Sequence, residues 1–290
     1  MKKFLINKLL LAAFVLMTTG KLYAGGLMVT PSRLEFKGNT TSQEVKLINK
    51  NDQPVTYRIS LQHLRMDENG NYKEIAENET NVQEKFADDL LRFSPRKITL
   101  KANEVQTIRV AIKKDASLAD GEYRSHLLFR EEPAADFKQA NNVEAATAKK
   151  DDKTISVVLK PLFGISIPVI VNNGKSEANS AIENLAIKSD EKDKNKKLVA
   201  FDLTRSGNAS LYGNVSVTFK QNKTGKEHDV GALNSLSVFY PYPKRNVTVA
   251  LNLPKDIKLT DGVLSVKYSA RNDDGKSDKK VFSKSSLTLN

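Results

Sequence analysis

Short runs of β-branched and aromatic residues, alternating apolar with polar and broken by turn chemistry, repeat along almost the whole chain. Val55-Thr56-Tyr57-Arg58-Ile59-Ser60-Leu61 alternates cleanly, directly after the turn signal Lys50-Asn51-Asp52-Gln53-Pro54. Glu44 to Asn49, Gln106 to Ile112 and Tyr123 to Phe129 keep the same period of two, and Asp67-Glu68-Asn69-Gly70-Asn71 marks another turn. Side chains that alternate in this way line two faces of a strand, and many short strands at regular spacing specify a β-sandwich. Leu27 to Phe36 and Phe93 to Leu100 each contain a proline, Pro31 and Pro95. A proline cannot donate to a ladder, so Leu27 to Phe36 is expected at an edge or where a strand changes sheets, while Phe93 to Leu100 continues the strand pattern. Only Val82 to Leu91 reads as mildly helical.

Two features divide the chain. Residues Glu131 to Lys153 are rich in Ala, Asn, Lys, Asp and Glu, with little to bury, and are expected to form a mobile loop. A strand is expected from Thr154 to Val171, far longer than the usual length of about 5–6 residues. Pro161 and Pro168 within it imply a bend or an edge without ladder partners. Asn172-Asn173-Gly174-Lys175 then marks a domain boundary. Beyond it, strand runs are expected over Ala181–Ile187, Leu198–Thr204, Gly213–Phe219, Leu233–Tyr240, Asn246–Leu253, Gly262–Ser269 and Val281–Leu289. The fold class is all-β, with two sandwich domains spanning residues 25–172 and 173–290.

Residues 1–24 have the order of a secretory signal peptide. Lys2, Lys3 and Lys8 precede the apolar run Leu9 to Met17, and Lys21-Leu22-Tyr23-Ala24 leads to Gly25-Gly26. That run is too short for a membrane span of about 20 residues, and no later stretch is apolar enough, so no membrane span is expected after cleavage. A segment of this kind implies that the chain is exported. Cutting after Ala24 removes four lysines and no acid, which lowers the net charge from +12 to +8. The remaining excess of base favours acidic or carboxylate partners, with an ordinary solvated surface as the plainer reading. The chain has no cysteine. Disulfides cannot brace it, so each sandwich depends on a full apolar interior.

Chemistry-bearing patterns are sparse. His63, His126 and His228 are the only histidines and sit on different expected elements, so metal-ligand spacing is absent and no metal is expected. A strand residue such as His126 reads as packed or solvent-facing. There is no G-x-S-x-G elbow and no phosphate-cradling glycine loop, and Glu131-Glu132 and Asp273-Asp274 lie in loops. Neither catalysis nor a cofactor is expected. In Lys188 to Lys197 the lysines alternate with Asp190, Glu191 and Asp193, which cancels the field a nucleic acid would need.

Several segments, in order and spacing, resemble the first domain of the periplasmic chaperones of chaperone–usher pilus assembly. They are Val29-Thr30-Pro31-Ser32-Arg33-Leu34-Glu35-Phe36, Phe93-Ser94-Pro95-Arg96-Lys97-Ile98-Thr99-Leu100 and Gln106-Thr107-Ile108-Arg109-Val110. Asp120-Gly121-Glu122-Tyr123-Arg124-Ser125-His126-Leu127-Leu128-Phe129 and Ile165-Ser166-Ile167-Pro168-Val169 complete the set. The second domain resembles that family only in length and strand content. The Ile165 to Val169 run looks more like a divergent branch than like the P-pilus chaperones.

The resemblance implies two immunoglobulin-like domains and a mechanism. Pilus subunits lack their last strand, and the chaperone's last first-domain strand fills the open groove until an outer-membrane usher passes the subunit on. Here that strand is 154–171. Ile155, Val157 and Leu159 share one side of it and are the expected groove-filling residues. The alternative for the same pattern is a strand simply buried on both faces. The resemblance also implies two bases in the interdomain cleft that grip a subunit's terminal carboxylate. Arg33 matches the first by its spacing to Phe36. The second falls near Ser166, where this sequence has no base, and Lys160 is the nearest candidate; Ile170 stands where a further base would follow. Arg96, Arg109 and Arg124 read mainly as structural, and Tyr123 as a corner tyrosine whose hydroxyl ties to nearby backbone. The rival functions are a secreted two-domain immunoglobulin-like adhesin or structural protein, a pilus subunit, and a sandwich-fold enzyme.

Overall fold

The computed structural model describes residues 26–113, 117–133, 161–271 and 277–290. The first part of the chain forms β1 (Leu27–Thr30), β2 (Leu34–Phe36), β3 (Ser42–Asn49), β4 (Val55–Gln62), β5 (Leu64–Met66) and β6 (Tyr72–Glu74). It continues through β7 (Leu91–Ser94), β8 (Lys97–Leu100), β9 (Val105–Ile112), β10 (Gly121–Glu131) and β11 (Gly164–Asn173). The second part forms β12 (Ala178–Ser189), β13 (Lys197–Gly207), β14 (Leu211–Gln221), β15 (Glu227–Val238), β16 (Lys244–Ala250), β17 (Gly262–Arg271) and β18 (Ser277–Leu289). All seven strand runs expected after residue 173 fall on strands; β12, β13 and β14 are longer at both ends, whereas β15 and β16 start earlier and stop two or three residues short of the expected end.

Each part is a sandwich. In the first, a sheet ordered β1-β3-β9-β7 packs on one ordered β2-β11-β10-β4-β8, with β5-β6 as a separate hairpin. In the second, β12-β13-β16 packs on β15-β14-β17-β18, the crossed connectivity of immunoglobulin-like domains. Pro31 acts as the sequence implied, and Pro95 turns out to behave in the same way. Pro31 separates β1 from β2, and Pro95 separates β7 from β8; in each case the chain leaves one sheet and enters the other.

The period of two becomes burial. On β3, Val45, Leu47 and Asn49 point inward, and on β13 Val199, Phe201, Leu203 and Arg205 do so. The first core gathers around Leu34, Phe36, Leu47, Ile108, Leu127 and Phe129, and the second around Phe201, Val217, Phe219, Leu264, Val266 and Tyr268. Full burial of each such side chain contributes about 1.5–3 kcal/mol, which stands in for absent disulfides. The Tyr268 hydroxyl, deep in the second core, donates to Leu236 O at 2.9 Å, and burial raises its pKa.

Three expectations need comment. Tyr123 does tie a corner, with its hydroxyl donating to Ala119 O at 3.1 Å. The segment Val82–Leu91 contains only a 3-10 turn, Asp88–Leu90, because Leu91 is taken into β7. The long strand is shorter where it is described: Pro161, Leu162 and Phe163 carry no strand pairing, and β11 begins at Gly164. Pro161 offers no N–H to a ladder at that point. Ile155, Val157, Leu159 and Lys160 lie outside the described residues.

A tight hinge joins the sandwiches. Gly174 has φ +54, and a Cβ there would stand 1.7 Å from Asp120 Oδ1, so this turn needs glycine. Asn208 closes it, accepting from Glu177 N at 2.8 Å and donating to Lys175 O at 2.8 Å.

Candidate functional site

Two features of the first sandwich could serve a partner: an open strand edge and the cleft behind it. The edge belongs to β11. On one side β11 pairs with β10 along its whole length, from Gly164↔Arg130 to Asn173↔Gly121. On the other it meets β2 only at Val169, Ile170 and Val171. Among the described residues, Gly164 to Pro168 therefore have no ladder partner on that side. The short parallel pairing arises because β2 is only three residues long, cut off by the sheet change at Pro31.

The faces of β11 differ along its length. Ile167, Val169 and Val171 enter the first core, with Ile165 packed against it. On the opposite face Ile170 is fully buried against Met66 and Phe239, at the junction with the second sandwich. The end of β11 is thus buried on both faces, while its beginning keeps an open edge. Beside that edge lies an apolar hollow of about 520 Å³ whose lining includes Leu27, Tyr57, Phe129, Phe163 and Ile165. Phe163 is 63% exposed, the most exposed aromatic ring among the described residues' large hydrophobics.

The cleft lies between the two sandwiches and has a volume of about 680 Å³. Arg33, on the bend between β1 and β2, reaches into it with a side chain only 10% exposed. Its guanidinium sits 4.6 Å from the centre of the Tyr212 ring and 5.9 Å from that of Phe239, both contributed by the second sandwich. Arg33 Nε and Nη1 are buried and make no hydrogen bond; the Glu35 carboxylate is 3.8 Å from Nε. Glu35 is occupied elsewhere, pairing with Lys37 at 2.9 Å and accepting from Asn172 Nδ2 at 3.0 Å. Burial acts to raise its pKa, but Arg33 and Lys37 outweigh that and hold the carboxyl below its ordinary value. Ser166, near which the resemblance put a second base, instead accepts from Gln62 Nε2 at 2.8 Å.

The walls are fixed by contacts across the junction. Glu122 on β10 is 2% exposed and accepts from Ser210 N at 2.6 Å and from the Ser210 hydroxyl at 2.5 Å. Glu84 forms a two-pronged pair with Arg65 at 2.9 and 2.8 Å and also accepts from the Tyr242 hydroxyl. Burial works to raise the Glu84 pKa, yet Arg65 and Tyr242 hold it down to about 2, and burial with Glu84 raises Tyr242 to about 12. The tip of the β5–β6 hairpin adds Glu68, paired with Lys244 at 3.1 Å, and Asn69, accepting from Asn246 at 3.1 Å.

Arg124 and His126 lie behind these contacts. Arg124 is buried with its guanidinium 4.2 Å from the Phe239 ring centre, and burial lowers its pKa. His126 is 2% exposed, so it is packed rather than solvent-facing. Of the arginines read as structural, Arg124 is a junction residue, while Arg96 stacks on Phe93 at 4.9 Å. Sequence reasoning missed Glu122, Tyr212 and Phe239. A lone Glu before the corner tyrosine was the only visible signal, since the aromatic pair gains its meaning from a sandwich distant in sequence.

Fold and site together define a two-domain immunoglobulin-like protein with one partly unpaired strand and a basic cleft between its domains. A family model described as an Fn3-like domain matches residues 34–127, within the first sandwich. No curated protein sequence matches the chain. Solved structures similar to it include the YadV chaperone, with 12% identity, 91% of this chain and 99% of that chain covered, and a TM-score of 0.44. The E. coli chaperone DraB has 12% identity, covers 92% and 97%, and scores 0.43. The CsuC-CsuE chaperone-tip adhesion subunit pre-assembly complex, from archaic chaperone-usher Csu pili of Acinetobacter baumannii, has 14% identity, covers 91% and 99%, and scores 0.40. Among the described residues no helix is long and apolar enough to cross a membrane, and no cluster of His, Cys, Asp and Glu could hold a metal.

Proposed function

We infer that this protein is a periplasmic chaperone that captures pilus or fimbrial subunits by lending them a β-strand and hands them to an outer-membrane usher. The observation that carries this reading is the open edge of β11 from Gly164 to Pro168, beside an apolar hollow and the exposed Phe163. An unpaired edge is a row of backbone donors and acceptors, and a partner strand laid on it gains affinity from the backbone and specificity from alternate side chains. The reading also rests on the segments around Arg33, Pro95, Arg109, Tyr123 and Ile165 that resemble the pilus-chaperone family. Residues 1–24 are read as the signal peptide that exports the chain, and 25–172 and 173–290 as its two domains.

In this reading Ile155, Val157 and Leu159 continue the lent strand and fill the subunit's groove, each contributing about 1.5–3 kcal/mol when buried. The ordering of the preceding residues offsets part of that gain, which leaves a complex firm enough to protect a subunit and weak enough to release it. Arg33 receives the subunit's terminal carboxylate in the cleft; Lys160 is the nearest base on the lent strand.

The test is capture from the native periplasm. The tagged protein should recover a small β-rich subunit in a one-to-one complex, identified by mass spectrometry. Val157→Glu should reduce that recovery at least about a hundredfold, because it replaces a buried methyl pair with an unpaired carboxylate in an apolar groove. Its circular dichroism and urea midpoint should match the parent. Equal recovery by Val157→Glu would place the capture site elsewhere.

A further inference from the structure

Between β4 and the loop that leads to β7, the chain makes a hairpin that belongs to neither sandwich. β5 and β6 form a two-stranded sheet of their own, through Leu64↔Glu74, Arg65↔Lys73 and Met66↔Tyr72. The tip of this hairpin lands on β16 of the second sandwich. Asn246 N donates to Glu68 O at 2.6 Å, Asn246 Nδ2 donates to Asn69 Oδ1 at 3.1 Å, and Lys244 pairs with Glu68 at 3.1 Å. Gly70, with φ +86, packs directly on the Arg245 guanidinium. The stem presses Met66 against Ile170 and Phe239, and sets the Tyr72 ring 6.2 Å from that of Phe239.

His126 lies against this hairpin. It is buried, although the Tyr72 ring in edge contact with it is half-exposed, so part of its cover is a thin one. Among the described residues neither imidazole nitrogen has a hydrogen-bond partner, and neither has Arg124 Nη1. The charges around the ring are mostly positive. β10 itself supplies Arg124, 4.2 Å from the Phe239 ring centre, together with Glu122, and the β1–β2 bend supplies Arg33, 5.9 Å from the same ring. The end of β4 supplies His63, paired with Asp88. The hairpin supplies Arg65 and Tyr72, and the second sandwich Arg245 and Tyr242. The carboxylates are committed: Glu122 to Ser210, Glu84 to Arg65 and Tyr242, Asp88 to His63, and Asp67 to the backbone of its own turn, facing Arg245. A proton on His126 would stand beside Arg124 and Arg33 with no uncommitted carboxylate among these groups to pair with.

We propose that the β5–β6 hairpin is an acid-released latch between the two domains, which lifts from the second sandwich as His126 takes up a proton. With the hairpin down His126 stays neutral, because burial and then Arg124, Arg33 and His63 hold its pKa at about 3. With the hairpin lifted, the ring meets water and returns to its ordinary value of 6.5. Protons therefore bind the lifted form preferentially. The down form keeps its full advantage above pH 6.5 and loses it as pH falls towards 3. The hairpin is suited to such movement, since a ribbon of three residue pairs is marginal alone and is held by its docking. The side-chain contacts at its tip are solvent-exposed, so each adds little, and Met66 with Tyr72 supplies the apolar part of closure. The latch does not depend on what the protein captures.

The test is amide hydrogen exchange of the purified protein at pH 7, 6 and 5, followed by NMR and corrected for intrinsic rates. The reporters are the Ile75 amide, bonded to His63 O, and the Asn246 amide, bonded to Glu68 O. Their protection should fall about twentyfold from pH 7 to pH 5. Dilute urea should leave that protection unchanged, since lifting a hairpin exposes little surface. In His126→Leu the fall with pH should vanish. Asn246→Ala, which removes a side-chain contact at the tip, should lower Ile75 protection about threefold to fivefold at every pH and keep the same pH dependence. Protection that does not change with pH, or that falls equally in His126→Leu, would overturn the proposal. So would an Ile75 amide indifferent to Asn246→Ala. Urea sensitivity as steep as that of the β14 amides would show that the hairpin opens only with the whole fold, which also overturns the latch.

Discussion

Arg205→Ala should cost about 3–5 kcal/mol of stability, seen as a fall in the urea midpoint without a change in native secondary structure. Arg205 is the last inward residue of β13 and is 7% exposed. Its Nε donates to Tyr242 O at 3.0 Å, Nη1 to Gly207 O at 2.8 Å and Ala209 O at 3.0 Å, and Nη2 to Pro241 O at 3.1 Å. One side chain thereby fastens the β13–β14 turn to the β15–β16 loop. Alanine would leave four carbonyls short of a donor and a void where the guanidinium lay, and the cost of unsatisfied buried groups dominates the loss. Those same loops carry Ser210, Phe239 and Tyr242 to the first sandwich, so interdomain contacts should loosen as well. Arg205→Lys should recover less than half of the loss, since an ammonium cannot reproduce the fork. A cost below about 1 kcal/mol would show that water replaces the guanidinium and that the clamp is not needed.

Acid should weaken the protein in a window set by His126. The ring lies between Tyr72, at 5.7 Å, and Phe239, at 6.1 Å, and neither nitrogen has a hydrogen-bond partner. Burial, followed by the charges of Arg124, Arg33 and His63, pushes its pKa from 6.5 down to about 3. The folded protein therefore keeps His126 neutral, while the unfolded chain takes up a proton below pH 6.5. The stability held by the neutral ring is complete above pH 6.5 and falls as pH drops towards 3, by about 1.4 kcal/mol per unit well inside the window. Between pH 6.5 and 5 the loss should approach 2 kcal/mol. Carboxylates such as Glu84, held near pKa 2, take up protons in the unfolded chain only below about 4.5 and add to the decline there. His126→Leu removes the titrating group at similar volume and should flatten the upper part of the curve. Urea midpoints at pH 7, 6 and 5 for both proteins give the comparison, and parallel curves would assign the acid sensitivity to other groups.

How far the fold could be read from sequence depended on the range of the interaction. Val199-Ala200-Phe201-Asp202-Leu203 reads as a half-buried strand because alternation is local, and Pro31 marks a sheet change because a missing N–H is local too. The corner at Tyr123 was equally legible, since its acceptor lies four residues back. Arg33 was found through its place in a family-like segment; nothing nearby reveals that it stacks on Tyr212, 179 residues away, because docking of one sandwich on another leaves no period in the chain. For the same reason Arg124 read as an ordinary strand arginine, although Phe239 and Tyr242 enclose it at the junction. Pro161 and Pro168 signalled a bend or an edge without ladder partners, but the place where pairing begins, at Gly164, depends on β10.

Hydrogen–deuterium exchange over residues 161–169, in the free protein and in its purified one-to-one complex with a captured subunit, tests strand lending most directly. Among the described residues the outward amides between Gly164 and Pro168 have no partner strand, so in the free protein they should exchange quickly, while those bonded to β10 exchange slowly. In the complex the outward amides should slow by about a hundredfold or more, as a subunit strand completes the ladder. Unchanged exchange across this edge in a stoichiometric complex would contradict the account, because the subunit would then be held by some surface other than the open side of β11.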